Sequence, residues 1–359
     1  VSRPKVAAVA QAFKEAFTAA EVAAVYETAI RAAGGEPRVV VGSDGGDGFL
    51  DALAPVITRW TTHDASDPLS RPLRGVRVGW LDATRAVVES RLVCGLGLLQ
   101  PPERAPLVTS TRGVGQLIVD VVAAGARTVF VGLGGSATVD GGLGMARAWG
   151  WVPRDAAGRE LPEGGGALVG LAVLDPGRCP PAELVGVSDV GNPLLGSRGA
   201  RVFAAQKGAS RADTERLATG LERLAAVTGQ DGALGHAGCP GAGAAGGLGF
   251  GLLQFADGRL EPGSSWVLDR VGFDAALDGA ALLLVGEGAF DRTSLEGKLP
   301  GVALSRAAER GVGAVLVSPA ADYVPEGVAA ETGGGWWDIE ELAQRVEQVV
   351  RRALRLLGP

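Results

Sequence analysis

The sequence predicts an α/β protein of two unlike domains. One is a discontinuous, mostly parallel, three-layer (Rossmann-like) sheet, and the other is a mixed-sheet α/β domain inserted into it. Three observations carry this reading. The 359 residues exceed what one hydrophobic core usually encloses. Short apolar runs without alternation, the mark of strands buried on both faces, take turns with helical patterns, as in a parallel sheet. Between about 151 and 262 the chain becomes rich in Gly and Pro with mixed short strands, after which strands of the first kind return.

In chain order, residues 4–10 (PKVAAVA) and 38–41 (RVVV) read as short buried strands. Between them Thr18-Ala-Ala-Glu21 is a capping box that opens a helix with Val22, Val25, Tyr26, Ala29 and Ile30 on its apolar face, stopped by Gly34-Gly35. A short helix at 49–54 follows. The spacing of Val114, Leu117, Ile118, Val121 and Val122 predicts a helix over about 112–124, followed by a strand at Thr128–Leu133. Further strands are expected at 281–285 and 313–317. A last amphipathic helix is expected over about 338–357, with Ile339, Leu342, Val346, Val349 and Ala353 facing the core. The expected division is residues 1–62 with 106–150 and 263–359 in the Rossmann-like domain, and 63–105 with 151–262 in the inserted one.

Composition excludes several classes of function. A net charge of −6 argues against binding a nucleic-acid backbone. No run reaches the roughly 18 apolar residues of a membrane span, and the N-terminus lacks a signal-peptide pattern. Three scattered cysteines and two histidines offer no metal or redox spacing. The expectation is a cytoplasmic protein that handles a small molecule.

Four glycine-rich segments are the candidates for chemistry. Gly42-Ser-Asp44-Gly45-Gly-Asp47-Gly48 follows a strand and suits a magnesium- or hydroxyl-binding loop, or a plain turn. Gly132-Leu-Gly134-Gly135-Ser136-Ala-Thr138-Val-Asp140 leaves a strand for a helix, where bare N–H groups can face an anion. Its match to a dinucleotide fingerprint is weak in a chain with 57 glycines. Ser188-Asp189-Val-Gly-Asn192-Pro-Leu holds the only asparagine, which reads either as an Asx-turn or as a ligand. Nearby Lys207 is one of four lysines against thirty arginines. Gly286-Glu287-Gly288-Ala-Phe-Asp291 through Lys298 is not a P-loop, because Arg292 and Leu299 break the pattern. It places carboxylates and a lysine at a strand's carboxyl end, or forms a solvated charged loop.

Together SDGGDG, GLGGSATVDGG, SDVGNPL with QKGA, PGAGAAGGLG and GEGAFDRTSLEGK resemble the bacterial glycerate kinase type 1 family, in the family's order over about residues 5–318. The resemblance implies ATP-dependent phosphorylation of D-glycerate, to 2- or 3-phosphoglycerate, or of a similar small hydroxy acid, and it leaves a homodimer open. It implies ATP and Mg2+, with the metal held by Asp44, Asp189 and Asp291. Asp189, Lys207, Asp291 and Lys298 would be catalytic. Lys14, Asp44, Gly45, Asp47, Gly134, Gly135, Ser136, Thr138, Asp140, Asn192 and Glu287 would bind substrate or phosphate. The two lysines Lys207 and Lys298 are expected to line a cleft between the domains.

The chain departs from the family pattern where A-P-D-S-F-K reads Val9-Ala10-Gln11-Ala12-Phe13-Lys14. It departs again at Val139 for Asn, Ala289-Phe290 for Arg-Ile, Glu296 for His, and Val317-Ser318-Pro319 for A-G-S. Loss of polar groups at 11 and 12 predicts a weak or substrate-shifted kinase. The alternative is a catalytically impaired relative that binds a metabolite or acts as a regulator.

Overall fold

The computed structural model describes residues 3–13, 16–229 and 235–356. Its chain forms two compact units. The first comprises residues 1–44, 51–56 and 262–359; the second comprises 45–50 and 57–261, and interrupts the first.

The first unit carries a five-stranded, wholly parallel sheet in the order Ala329–Thr332, Gly313–Ser318, Leu282–Gly286, Lys5–Ala10, Glu36–Val41. The central strands are buried on both faces, which is why their sequences are continuously apolar. Helices Ala19–Ala32 and Ile339–Leu356 cover one face through Val22, Tyr26, Ile30, Leu342, Val346 and Val349. Helices Phe273–Leu277 and Leu299–Glu309 cover the other. The Thr18–Glu21 capping box forms: the Glu21 N–H donates to Thr18 Oγ1 at 3.2 Å and the Thr18 N–H donates to Glu21 Oε2 at 2.8 Å.

The second unit carries a six-stranded mixed sheet in the order Arg259–Glu261, Glu183–Val187, Thr128–Gly132, Arg85–Glu89, Pro72–Trp80, Arg59–Ser66. Its first four strands are parallel and its last two antiparallel.

The division differs from the expected one at residues 106–150, and also at 45–50 and 57–62, all of which lie in the second unit. Strand Thr128–Gly132 pairs with Arg85–Glu89 and Glu183–Val187, and helix Arg112–Ala123 buries Val114, Leu117 and Ile118 in that unit's core. Both sheets contain parallel strands buried on both faces, so the hydrophobic pattern alone does not say which sheet a strand joins. The Gly- and Pro-rich middle also holds an 18-residue helix, Arg211–Thr228, opened by a capping box between Ser210 and Asp213.

Candidate active site

In the second unit the parallel strands end in register, Glu89 beside Gly132 and Gly132 beside Val187. The segments that follow these ends carry most of the candidate residues, where open α/β sheets bind ligands. Residues 135–137 of the glycine-rich loop are stitched to the turn after strand Arg85–Glu89. The Leu96 N–H donates to the Gly135 carbonyl at 2.8 Å, and the Ala137 N–H to the Cys94 carbonyl at 2.7 Å. Gly134 packs on Gly46, and buried Gly45 packs on the Val187 backbone. Gly135 has φ +58°, and any β-carbon there would crowd the Asp47 carboxylate. Asp47, exposed, forms an ion pair with Arg91 Nε at 3.0 Å. The buried Glu89 carboxylate accepts from the N–H groups of Gly48 and Leu50, which fixes the return of that loop.

Lys207 is buried, 4% exposed. Its Nζ donates to Ser136 Oγ at 2.9 Å and to the Thr138 carbonyl at 2.8 Å. Burial pushes its pKa down to about 8, against the pull of the neighbouring Asp140 carboxylate. Burial likewise pushes the Cys94 thiol up to about 12, leaving it protonated and inert. Lys207 therefore holds the loop from beneath.

Asp140, 2% exposed, is held by groups of the protein itself. Its Oδ2 accepts from the Thr111 N–H at 2.8 Å, Thr111 Oγ1 at 2.9 Å and the Gly144 N–H at 3.1 Å, and its Oδ1 from the Gly142 N–H at 3.1 Å. The carboxylate thus clamps the starts of helices Arg112–Ala123 and Leu143–Arg147, and burial raises its pKa. The loop at 134–136 accordingly precedes that helix start and is not part of it.

Val139 is a core residue, fully buried. Thr138 is fully buried as well, and its hydroxyl has no hydrogen-bond partner among the described residues. Asp189, half-buried, lies two residues beyond strand Glu183–Val187. Asn192 Nδ2 donates to the Arg198 carbonyl at 2.7 Å and its own carbonyl accepts from the Gly243 N–H at 2.8 Å. The single asparagine closes the loop 192–198 through its side-chain amide N–H.

In the first unit Asp291 caps the short 3-10 turn Arg292–Leu295. Its Oδ1 accepts from the Thr293 N–H at 2.7 Å, Thr293 Oγ1 at 2.6 Å and the Ser294 N–H at 3.1 Å. The Thr293 hydroxyl bond, helped by backbone N–H groups and by Lys298, holds the exposed carboxyl below the ordinary carboxylate range. Lys298 Nζ donates to the same Thr293 hydroxyl at 2.7 Å, so one threonine joins two predicted residues. Glu287 is half-buried, with its N–H donating to the Val317 carbonyl at 3.2 Å. Gln11, where the family pattern has Asp, donates Nε2 to the Gly286 carbonyl at 3.0 Å and ties two central strand ends together. Asp44 is exposed in the first unit, and Lys14 lies outside the described residues.

The sequence reading missed Thr293 and Arg91. Thr293 was signalled by the Asx-turn pattern Asp291-Arg-Thr-Ser, and Arg91 by its place directly after a buried parallel strand.

The glycerate kinase family profile matches residues 6–358. The chain belongs to the glycerate kinase family. It is 36% identical over 307 residues to the glycerate kinase of Bacillus subtilis (strain 168), covering 83% of this chain and 80% of that protein. It is 35% identical over 308 residues to the glycerate 2-kinase of Escherichia coli (strain K12), covering 82% and 80%. Among solved structures, a putative glycerate kinase 2 from Salmonella typhimurium LT2 superposes with a TM-score of 0.78 at 29% identity, over 99% of this chain and 98% of that one. The family assignment thus extends over both units and both residue clusters.

Proposed function

We propose that this chain transfers the γ-phosphoryl group of ATP to a hydroxyl of D-glycerate, or of a closely similar small hydroxy acid. The observation that carries the reading is the family match across residues 6–358, with curated relatives named as glycerate kinases at about the same identity. The residue chemistry supports it. Phosphoryl transfer asks the protein for positioning and charge stabilisation. Here that means loop N–H groups fixed by Lys207, and a carboxylate and an ammonium joined through Thr293.

Among the described residues no three or more His, Cys, Asp or Glu side chains gather into a metal cage. Mg2+ at a phosphoryl-transfer site needs only one or two carboxylates beside the substrate phosphates, so the donors fit. Asp291 would be one, since its bonds go to Oδ1 and no partner among the described residues takes Oδ2. Asp44 and Asp189 are the other candidates. When bound, magnesium supplies positive charge to the phosphate oxygens. A carboxylate held below its usual range is a weak base, which favours metal holding for Asp291 and leaves Asp189 to take the hydroxyl proton. Lys298 keeps ammonium hydrogens beyond its bond to Thr293 and would meet the transferred group.

Gln11 supports an intact enzyme over an impaired one, because the residue at this departure has a defined bond at the strand ends. Three free thiols support a reducing cytoplasm as its place of work. Among the described residues no helix is long and apolar enough to cross a membrane. The test is ADP release from ATP and Mg2+ on addition of D-glycerate, with the product assigned as 2- or 3-phosphoglycerate by NMR. No D-glycerate-dependent ADP would reject the substrate.

A further inference from the structure

Ser136, the one side chain of the glycine-rich loop with a hydroxyl near the strand ends, is buried and engaged with Lys207. An anion at this loop must therefore be met by backbone and by a neighbouring cation. Among the described residues no protein acceptor takes the N–H groups of Gly134, Gly135 or Ser136. The cation beside them is Arg91. Its backbone leads into the turn whose Cys94 and Leu96 are hydrogen-bonded to residues 135–137, so its starting point is fixed relative to the loop.

A β-carbon at Gly135 would lie 3.6 Å from both Arg91 Nε and Arg91 Cβ, so the side chain runs alongside the loop. Asp47 pairs with Arg91 at Nε. The terminal amino groups Nη1 and Nη2 have no protein acceptor among the described residues, and the side chain is 35% exposed. An arginine oriented at Nε with its far edge unspent presents a planar pair of donors to two anionic oxygens.

We infer that Arg91 is a substrate-binding residue that, with the N–H groups of Gly134–Ser136, holds a paired-oxygen anion: the acceptor's carboxylate or a phosphate of the nucleotide. This rests on the kinase reading above. The carboxylate and the phosphate share the same recognition chemistry, and kinetics separates them.

The experiment compares wild type with Arg91→Met and Arg91→Lys, after matching thermal midpoints show that the half-exposed position tolerates the change. Loss of a charge-assisted bidentate contact is expected to weaken the affected ligand about ten- to a hundredfold. Lysine, a point charge, should recover only part of it. A rise in KM for D-glycerate alone assigns the carboxylate. A rise in KM for ATP, or a matching fall in kcat, assigns the phosphate. Both KM values and kcat within twofold of wild type for Arg91→Met overturn the inference. Should wild type show no turnover with D-glycerate, the kinase reading fails separately, and inorganic phosphate is titrated by calorimetry into both proteins. Weaker binding by Arg91→Met then sustains the anion seat, whereas equal affinity, or no binding by wild type, rejects it.

Discussion

Lys207 shows what one residue contributes. In a chain that writes nearly every cation as arginine, this ammonium is buried between Ser136 Oγ and the Thr138 carbonyl, a space for a slim chain ending in a point charge. Burial lowers its pKa from the ordinary 10.5 to about 8, and this has two opposite consequences. Between about pH 8 and 10.5 the unfolded chain holds more protons at this site than the folded one, so stability rises with pH across that window by linkage. Anion binding loses a positive charge over the same range, so kcat/KM should fall above about pH 8. Urea midpoints and pH–rate profiles of wild type and Lys207→Met check both: the variant should lose the alkaline gain in stability and the alkaline fall in activity. Gln11 supplies a second residue-scale prediction. Its amide bond to the Gly286 carbonyl means that Gln11→Asp with Ala12→Ser, which restores the family's usual pair, removes a donor and sets a carboxylate near a carbonyl oxygen. We expect about 1 kcal/mol less stability in urea and no gain in turnover.

At the scale of elements, the glycine runs are explained by backbone meeting backbone. The segment 241–251 lies against 138–142: the Gly141 N–H donates to the Gly246 carbonyl at 3.1 Å, and Gly247 and Gly251 face Gly141 and Gly142. Gly246 has φ +70°, and a β-carbon there would overlap the Thr138 carbonyl oxygen, the same oxygen that Lys207 holds. Gly246→Ala should therefore cost about 3 kcal/mol or more, combining left-handed strain with an overlap that only backbone movement relieves. Gly272→Ala, at φ +78° with nothing within 4 Å, should cost only about 1 kcal/mol. Equal midpoints for the two in urea would contradict this. The capping box at Thr18, the helix over 112–123 and the central strands were legible in the sequence because each rests on neighbours along the chain. The partner of strand Thr128–Gly132 was not, because register between sheets is a long-range choice that a buried strand's pattern leaves open. The clamp at Asp140 was hidden for a similar reason: half of its bonds go to Thr111, far along the chain. Arg91 was hard to single out in a chain with thirty arginines: its place after a buried strand was a weak signal, and what sets it apart is the company of Gly135 and Asp47.

At the scale of the whole molecule, each unit has its own sheet and core, and each sheet presents its candidate residues at the carboxyl ends of parallel strands. The second unit carries the glycine-rich loop braced by Lys207; the first carries an exposed carboxylate and an ammonium joined through Thr293. The most direct measurement is a coupled assay of ADP release with ATP, Mg2+ and D-glycerate, run on wild type and on Asp291→Asn, with the phosphorylated product identified by NMR. The account predicts D-glycerate-dependent ADP and stoichiometric phosphoglycerate from wild type, suppressed by chelating the metal. It predicts a loss of about a hundredfold in kcat for Asp291→Asn. ADP release indifferent to D-glycerate, or full turnover by Asp291→Asn, would contradict it.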